Sequence, residues 1–195
     1  MVDEGVAIVS VIERLLRREA PYSSVSGAAG LEISKLRRRD LRSGVLAIEA
    51  ASYPRPWSRG VFESEIEQMK SGQRNYVVGR RGRDIVGYAG LWFAADEAHV
   101  TNVAVDPAEQ RMGIASRLLL VQADEAIGRG YPAWTLEVRV SSVGAQELYR
   151  HFGFGPAGVR KKYYENTEDA IVMWCNDIQS SDYADRLDRI REGLA

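Results

Sequence analysis

The sequence predicts one α+β domain, and three observations lead to that fold class. Strand-like segments follow one another at 75–79, 84–93 and 99–105 with turn residues between them, which is typical of an antiparallel meander. A long amphipathic segment at 111–129 and an alternating segment at 133–140 come next. With 195 residues, 45% of them hydrophobic, the chain is long enough to bury one sizeable core.

Residues 1–30 form an extension ahead of this domain. Apolar residues at helical spacing predict a helix over Asp3–Glu19, and Pro21–Gly30, which reads PYSSVSGAAG, is typical of a flexible linker. The acidic residues Asp3 and Glu4 precede the apolar run of that helix, where an export signal would carry basic residues. We therefore expect neither a signal peptide nor a membrane span here.

The domain itself is expected over residues 31–176. A short strand at Leu31–Leu36 opens it, and helices follow at Asp40–Ala51 and Ser58–Met69. Ser58 is a typical N-cap for the second of these helices. The three strands of the meander come next, so the first half of the domain should form one side of a sheet.

The second half of the domain supplies the remaining strands. Gly130 ends the long helix, and in the strand AWTLEVRV apolar residues alternate with polar ones, which places Glu137 on the polar face. A helix at about Val143–Phe152 and strands near Val159–Tyr164 and Asp169–Cys175 complete the plan.

Residues 177–195 predict a terminal amphipathic helix, because their apolar residues recur every three or four positions. Those residues are Tyr183, Leu187, Ile190 and Leu194. Each terminal helix carries an apolar stripe too narrow for the helix to be stable alone in water. We therefore expect both helices to dock, either on the core or on a second copy of the chain in a homodimer.

Composition and charge exclude several classes of function. The chain has 26 lysines and arginines against 27 aspartates and glutamates, so no global field would draw it to nucleic acid or to a membrane. The single cysteine, Cys175, rules out an internal disulfide and favours the reducing cytoplasm. Because Cys175 and the two histidines, His99 and His151, are scattered along the chain, we expect no metal site.

The start of the long helix is the most informative stretch, and it reads DPAEQRMGIASRLL from Asp106 to Leu119. The first turn of a helix exposes unpaired backbone N–H groups at the positive end of the helix dipole, and Gly113 would let a phosphate approach them. The order Q-R-M-G-I-A matches neither of the glycine-rich motifs of NAD-type and ATP-type sites. Two explanations of this helix start remain: it binds a pyrophosphate in another type of site, or the glycine is there only because the loop conformation requires it.

Together with the strand before it, this stretch resembles the acetyl-CoA signature of the GNAT N-acetyltransferases. Gln110, Gly113 and Ala115 match the polar and small positions of the helix-start motif of that family. Three further segments resemble its RimI group, and they read PWS, TLEVRVSSVGAQELYRHFGF and VRKKYYENTEDAIVM. The resemblance spans about Leu31 to Cys175 and gives no function to the two terminal extensions.

The resemblance implies a mixed, mostly antiparallel sheet of about six to seven strands flanked by helices, with a V-shaped gap for acetyl-CoA between the fourth and fifth strands. Val103, Ala104 and Val105 would meet the pantetheine arm. The helix start would wrap the pyrophosphate with Arg111, Met112, Gly113, Ile114, Ala115 and Ser116. Ser142 stands where the family usually has an asparagine that holds the cofactor arm, and a helix N-cap is its alternative role.

Acetyl transfer from a thioester to an amine needs a neutral nucleophile and a proton for the departing thiolate. The resemblance implies that Glu137 accepts the proton of the amine, directly or through water, and that Tyr149 is the general acid. Without the resemblance, Glu137 would be a polar-face carboxylate paired with a neighbour such as Arg139, and Tyr149 would pack beside Ala145 and Phe152. No histidine or second carboxylate is identifiable beside Glu137, so the sequence predicts a modest base.

On the acceptor side, the resemblance places Trp57, Tyr163 and Tyr164 along the acceptor groove, although core or rim packing would also explain them. The RimI group acetylates the N-terminal alanine of a small-subunit ribosomal protein, so the implied acceptor is a protein N-terminus. A lysine side chain or a small amine is the alternative within the same fold. A non-catalytic acyl-CoA sensor or scaffold is the alternative of a different class, and the retention of both Glu137 and Tyr149 counts against it.

Overall fold

A computed structural model describes residues 30–195, and within them seven strands form one sheet in the order β1-β2-β3-β4-β5-β7-β6. The strands are β1 Leu31–Lys35, β2 Arg74–Arg81, β3 Asp84–Ala94, β4 Glu97–Val105, β5 Ala133–Arg139, β6 Gly155–Tyr164 and β7 Glu168–Cys175. Neighbouring strands run antiparallel, except that β4 and β5 run parallel. The predicted fold class and the meander are confirmed.

Helices cover both faces of the sheet. They are α1 Leu46–Ser52, α2 Arg59–Lys70, α3 Ile114–Gly128, α4 Val143–His151 and α5 Ser181–Glu192. Along β2, Tyr76 and Val78 pack in a cluster with Phe62 of α2, whereas Val77 packs in a cluster with Leu118 of α3. Because alternate residues of a strand point to opposite faces, α2 and α3 lie on opposite sides of β2. In the described part of the chain, no helix is long and apolar enough to cross a membrane.

The helix predicted over Asp40–Ala51 is interrupted. It consists of a helical turn at Arg38–Asp40, a π-helical segment at Leu41–Val45 and then α1. Gly44 lies at the interruption, and a Cβ there would stand 2.8 Å from the Cβ of Ile85 on β3. The chain therefore passes the sheet too closely for a side chain at this point, which hydrophobic periodicity does not reveal.

The C-terminal helix α5 is present and packs on the core. Tyr183, Leu187 and Ile190 are buried in the hydrophobic cluster that contains Trp134 of β5. The spacing of the apolar residues thus predicted both the helix and its buried face. The N-terminal helix predicted over Asp3–Glu19 lies outside the described residues.

Truncating Leu187 to alanine is expected to lower the free energy of unfolding by about 2–5 kcal/mol, because a buried leucine leaves a cavity when it is cut back. Leu187 is 2% exposed, whereas its neighbour Asp188 on α5 is exposed to solvent. Chemical denaturation of Leu187→Ala beside Asp188→Ala measures the difference, and the second variant should stay within about 0.5 kcal/mol of the parent. Equal stability of both variants would mean that α5 does not pack on the core.

Candidate active site

Strands β4 and β5 part in the middle of the sheet and open a cleft. Their parallel pairing runs from Glu97 and Ala133 only as far as Val100 and Leu136. Both strands continue beyond this point without pairing to each other. The cleft between them has a volume of about 900 Å³. The expected gap between the fourth and fifth strands is confirmed.

An extra residue in β4 marks the place where the two strands separate. The register between β3 and β4 shifts next to Gly90 and leaves Thr101 as the extra residue. A Cβ at Gly90 would lie 2.2 Å from the ring of Tyr76, whose hydroxyl shares a 2.8 Å hydrogen bond with Thr101. Since a bulge bends its strand and increases the local twist, it turns the end of β4 away from β5.

The unpaired edge of β4 presents backbone groups to the cleft. The Val103 carbonyl accepts a hydrogen bond from the hydroxyl of Tyr53 at 3.0 Å, and the Val105 carbonyl accepts one from the side chain of Gln110 at 3.3 Å. In an extended strand the N–H and C=O of one residue point to the same edge. The N–H groups of Val103 and Val105 therefore face the cleft, and Ala104 lines it between them.

The start of α3 forms one end of the cleft. Gly113 is the N-cap, with φ 74°, and α3 begins at Ile114, three residues later than predicted. Arg111 also has a left-handed backbone, with φ 65°, and left-handed residues cannot continue a right-handed helix. The cleft is lined here by Arg111, Gly113, Ile114, Ala115 and Ser116. Met112 is 50% exposed and lies outside the lining.

The backbone at Gly113 packs closely against the side chain of Leu194. A Cβ there would stand 2.7 Å from Cδ2 of Leu194, and φ 74° is a conformation that residues other than glycine rarely adopt. Arg117, buried one turn into α3, donates a hydrogen bond to the carbonyl of Leu194. Glycine at this position keeps the first N–H groups of α3 accessible, which suits an anion such as a pyrophosphate.

Glu137 projects from β5 into the cleft, and both oxygens of its carboxylate have partners. Its side chain is only 8% exposed, Oε2 lies 3.1 Å from Nε2 of His99, and Oε1 lies 3.1 Å from Nη2 of Arg160. The hydrogen bond with His99 is the largest cause acting on the pKa of Glu137, and it lowers that pKa. Burial acts in the opposite direction, and the electrostatic interactions with His99 and Arg160 lower the pKa further. Glu137 is therefore ionised at neutral pH.

Two interpretations of the sequence around Glu137 are wrong. A histidine, His99, does stand beside it, and Arg139 pairs instead with two carboxylates at the β6–β7 turn, at 2.7 and 2.8 Å. The parallel register explains the first error, because it sets His99 of β4 opposite Thr135, two residues before Glu137 on the same face of β5. A correct prediction of that register would have found the contact.

Tyr149 lines the same cleft from α4. It is 8% exposed, and its ring lies edge-on to Phe154 with 5.8 Å between the ring centroids. Burial raises the pKa of Tyr149 to about 12. The phenol therefore keeps its proton at neutral pH and can act as a proton donor inside the cleft.

Ser142 also lines the cleft, at the N-cap position of α4. Within the described residues its hydroxyl makes no capping hydrogen bond to that helix. Ser142 therefore occupies the N-cap position that was its alternative role, but its hydroxyl does not cap the helix and stays available to a molecule in the cleft.

The aromatic residues expected on the acceptor side are brought together. Trp57, Tyr163 and Tyr164 all line the cleft. The hydroxyl of Tyr164 donates to the backbone carbonyl of Glu137 at 3.0 Å, and the guanidinium of Arg139 lies 4.1 Å from the centre of the Tyr164 ring. Tyr164 thus ties β6 to β5 beside the carboxylate.

Glu49 is a cleft residue that sequence reasoning missed. It lies on α1, is 2% exposed, accepts a 2.7 Å hydrogen bond from the backbone N–H of Trp57, and accepts another from the hydroxyl of Tyr88. Burial is the largest cause acting on its pKa and raises it. This carboxylate fixes the loop that carries Trp57. The only signal in the sequence was one acidic residue within an otherwise apolar turn of a predicted helix.

Comparisons with known proteins agree with this geometry. The model of the acetyltransferase (GNAT) family matches residues 43–154. The chain is 37% identical over 146 residues to the [ribosomal protein bS18]-alanine N-acetyltransferase of Escherichia coli strain K12, a match that covers 72% of this chain and 94% of the relative. It is 39% identical over 123 residues to the N-alpha-acetyltransferase RimI of Mycobacterium tuberculosis, which covers 60% of this chain and 74% of that protein.

The fold has a counterpart among solved structures. The crystal structure of the ribosomal-protein-S18-alanine N-acetyltransferase from Escherichia coli superimposes with a TM-score of 0.67 at 33% identity. The superposition covers 75% of this chain and 94% of that one.

Proposed function

This chain belongs to the GNAT family of acetyl-CoA-dependent N-acetyltransferases, and from that premise we propose that it acetylates the N-terminal α-amine of a protein. The proposed acceptor is a cytoplasmic ribosomal protein that begins with alanine, as in the reaction for which the Escherichia coli relative is named. One observation carries the proposal: Glu137 and Tyr149 line one cleft where β4 and β5 part.

We assign acetyl-CoA to the cleft between β4 and β5. The N–H groups of Val103 and Val105 would bind the pantetheine arm, the first turn of α3 would bind the pyrophosphate, and Ser142 would contact the arm from the other side. The accessible N–H groups at Gly113 support this assignment, because they supply hydrogen-bond donors where an anion would lie. When bound, acetyl-CoA supplies a thioester that an amine can attack and a thiolate that needs a proton.

Glu137 and Tyr149 have complementary proton affinities. The lowered pKa of Glu137 keeps it ionised, so it can accept the proton of the incoming amine directly or through a water. The raised pKa of Tyr149 keeps it protonated, so it can give its proton to the departing sulfur. Glu137 gains one proton and Tyr149 loses one, so Glu137 must be deprotonated and Tyr149 reprotonated before the next turnover.

The weak basicity of Glu137 favours an α-amine over lysine as the acceptor. An α-amine has a pKa near ~7.7–8.0 and lysine one near ~10.4, so at about pH 7.5 roughly a third of the former is neutral against about a thousandth of the latter. A carboxylate whose pKa is lowered withdraws protons poorly, and the cleft has to rely on an acceptor that loses its proton easily.

Two matched peptides test the acceptor. One has a free N-terminal alanine and no lysine, and the other has a blocked N-terminus and one exposed lysine. Mass spectrometry should show modification of the first on the order of 100-fold faster, which follows from the difference in the neutral fraction of the two amines. Faster modification of the blocked peptide would overturn the proposal and leave lysine acetylation as the better function.

A further inference from the structure

The carboxylate of Glu137 is held in two different ways on its two sides. On the first side, His99 is fixed by further contacts: its Nδ1 lies 2.9 Å from Oγ1 of Thr135, and its ring lies edge-on to Trp92 at 6.3 Å between centroids. Thr135 is only 3% exposed, and the His99 side chain is 20% exposed. This side of the contact is built into the sheet.

On the second side, the partner of Glu137 can be exchanged. The Arg160 side chain is 56% exposed, and beyond the ion pair it lies over the ring of Tyr163 at 5.4 Å from the ring centre. Ion pairs with an exposed side chain are weak and are screened by solvent. Oε1 of Glu137 can therefore lose Arg160 to another cation at little cost, whereas Oε2 cannot easily lose His99.

We propose that His99 is a positioning residue for acetyl transfer, which holds Oε2 of Glu137 so that Oε1 is presented to the ammonium group of the acceptor in place of Arg160. This inference rests on the proposed function. The ammonium gives one proton to Oε1, directly or through water, and becomes the neutral amine that attacks. The N–H bond of His99 stays intact, and no other group changes its charge in this step.

The contact with Thr135 makes this orientation of the ring independent of its charge. When His99 is uncharged, the hydroxyl of Thr135 can donate to Nδ1, which leaves the proton on Nε2 to face Glu137. When His99 is protonated, Nδ1 donates to Thr135 and Nε2 still donates to the carboxylate. In either state Glu137 receives a hydrogen bond at Oε2.

Removing His99 should raise the pKa of Glu137, because its hydrogen bond is the largest lowering cause. Among the residues that the structure describes, Arg160 of β6 also pairs with this carboxylate, and the hydroxyl of Tyr164 of β6 bonds to the backbone carbonyl of Glu137. Tyr149 of α4, Glu49 of α1 and Tyr53 line the same cleft. Glu137 works in its ionised form, so activity falls as pH falls through its pKa. A higher pKa therefore moves the acidic limb of the kcat/KM profile to higher pH.

Three variants test the inference with the alanine peptide. His99→Leu should lower kcat about 10-fold or more, leave the KM for acetyl-CoA within about twofold, and move the acidic limb upward. His99→Gln keeps an N–H near the position of Nε2 and should restore most of kcat. His151→Gln alters the other histidine of the chain, on the exposed end of α4, and should match the parent in both kcat and the limb.

A second measurement separates this inference from the proposed acceptor. The ¹³C signal of the Glu137 carboxyl, identified by its loss in Glu137→Gln, can be titrated without any acceptor in the parent and in His99→Leu. A higher midpoint in His99→Leu supports the role of His99 even if the alanine peptide is not a substrate. An unchanged midpoint, or a loss of kcat with an unmoved acidic limb, would overturn it. If His99→Leu fails to fold, the same titration in Thr135→Val decides, because this change removes the contact that orients the His99 ring. A higher midpoint than in the parent would support the inference, and a parental midpoint would overturn it.

Discussion

Replacing Gly113 with glutamate is expected to weaken CoA binding severely, with a rise in Kd on the order of 10²–10³. In the proposed binding mode the first turn of α3 supplies backbone N–H groups to the pyrophosphate, and a carboxylate at Gly113 would place a negative charge beside two others. At about 4 Å and an effective dielectric constant of about 20, one such repulsion costs about 4 kcal/mol. Calorimetric titration of CoA into the folded variant measures the loss.

Substitution of Gly113 also has a steric cost, which must be separated from the charge. Any side chain here has a strained φ of 74° and a Cβ 2.7 Å from Leu194. Gly113→Gln has nearly the shape of Gly113→Glu without its charge, so the ratio of their Kd values reports the repulsion alone. We expect a ratio on the order of 10²–10³ at low salt, because about 4 kcal/mol corresponds to nearly three powers of ten in Kd, and the ratio should shrink as salt is added. Equal Kd values for the two variants would mean that the effect is only steric. Parental affinity in both variants would mean that the first turn of α3 does not bind the pyrophosphate.

Much of the fold was predictable because it depends on local patterns. Alternation and helical spacing located all seven strands and the buried face of α5, since each pattern reflects which side of one element meets the core. The errors lie where something other than hydrophobic spacing decides the conformation. Gly44 interrupts its helix because β3 passes close to it, and the helix predicted from Arg111 begins at Ile114 because the preceding loop is left-handed.

The edge strand β6 shows another limit of local patterns. The sequence predicted it over Val159–Tyr164, but it begins at Gly155. Nearly all of β6 is exposed, so no buried face imposes alternation on its residues. Its register with β7 also shifts twice, once after Pro156 and once after Arg160. Exposure and bulges together removed the signal on which the prediction depended.

In the candidate site, single positions were predictable and their partners were not. The resemblance to the family pointed to Glu137 and Tyr149, and both line the cleft. The side chains that lower the pKa of Glu137 come from other strands, His99 from β4 and Arg160 from β6, and Glu49 of α1 holds the loop that carries Trp57. Which carboxylate meets which cation depends on strand order and register, and neither is encoded in the spacing of residues along one element.

Replacing Tyr149 with phenylalanine is expected to lower kcat by about 10²–10⁴, which is the usual contribution of a general acid. The change removes only a hydroxyl from a buried ring, so packing against Phe154 and the affinity for acetyl-CoA should persist. Because burial raises the pKa of Tyr149 to about 12, the phenol is fully protonated at every pH near neutrality. The loss should therefore be the same across the neutral range.

A matched control distinguishes the missing proton from a packing defect. Tyr183 of α5 is 5% exposed, close to the 8% of Tyr149, but it lies in the core cluster outside the cleft. Tyr183→Phe should therefore turn over acetyl-CoA at the parental rate, and both variants should unfold near the parental midpoint. If Tyr149→Phe stays within about threefold of the parent in kcat, Tyr149 is a packing residue. The departing sulfur would then take its proton from another source, such as water, and the case for a non-catalytic acyl-CoA sensor would strengthen only if Glu137→Gln were equally harmless.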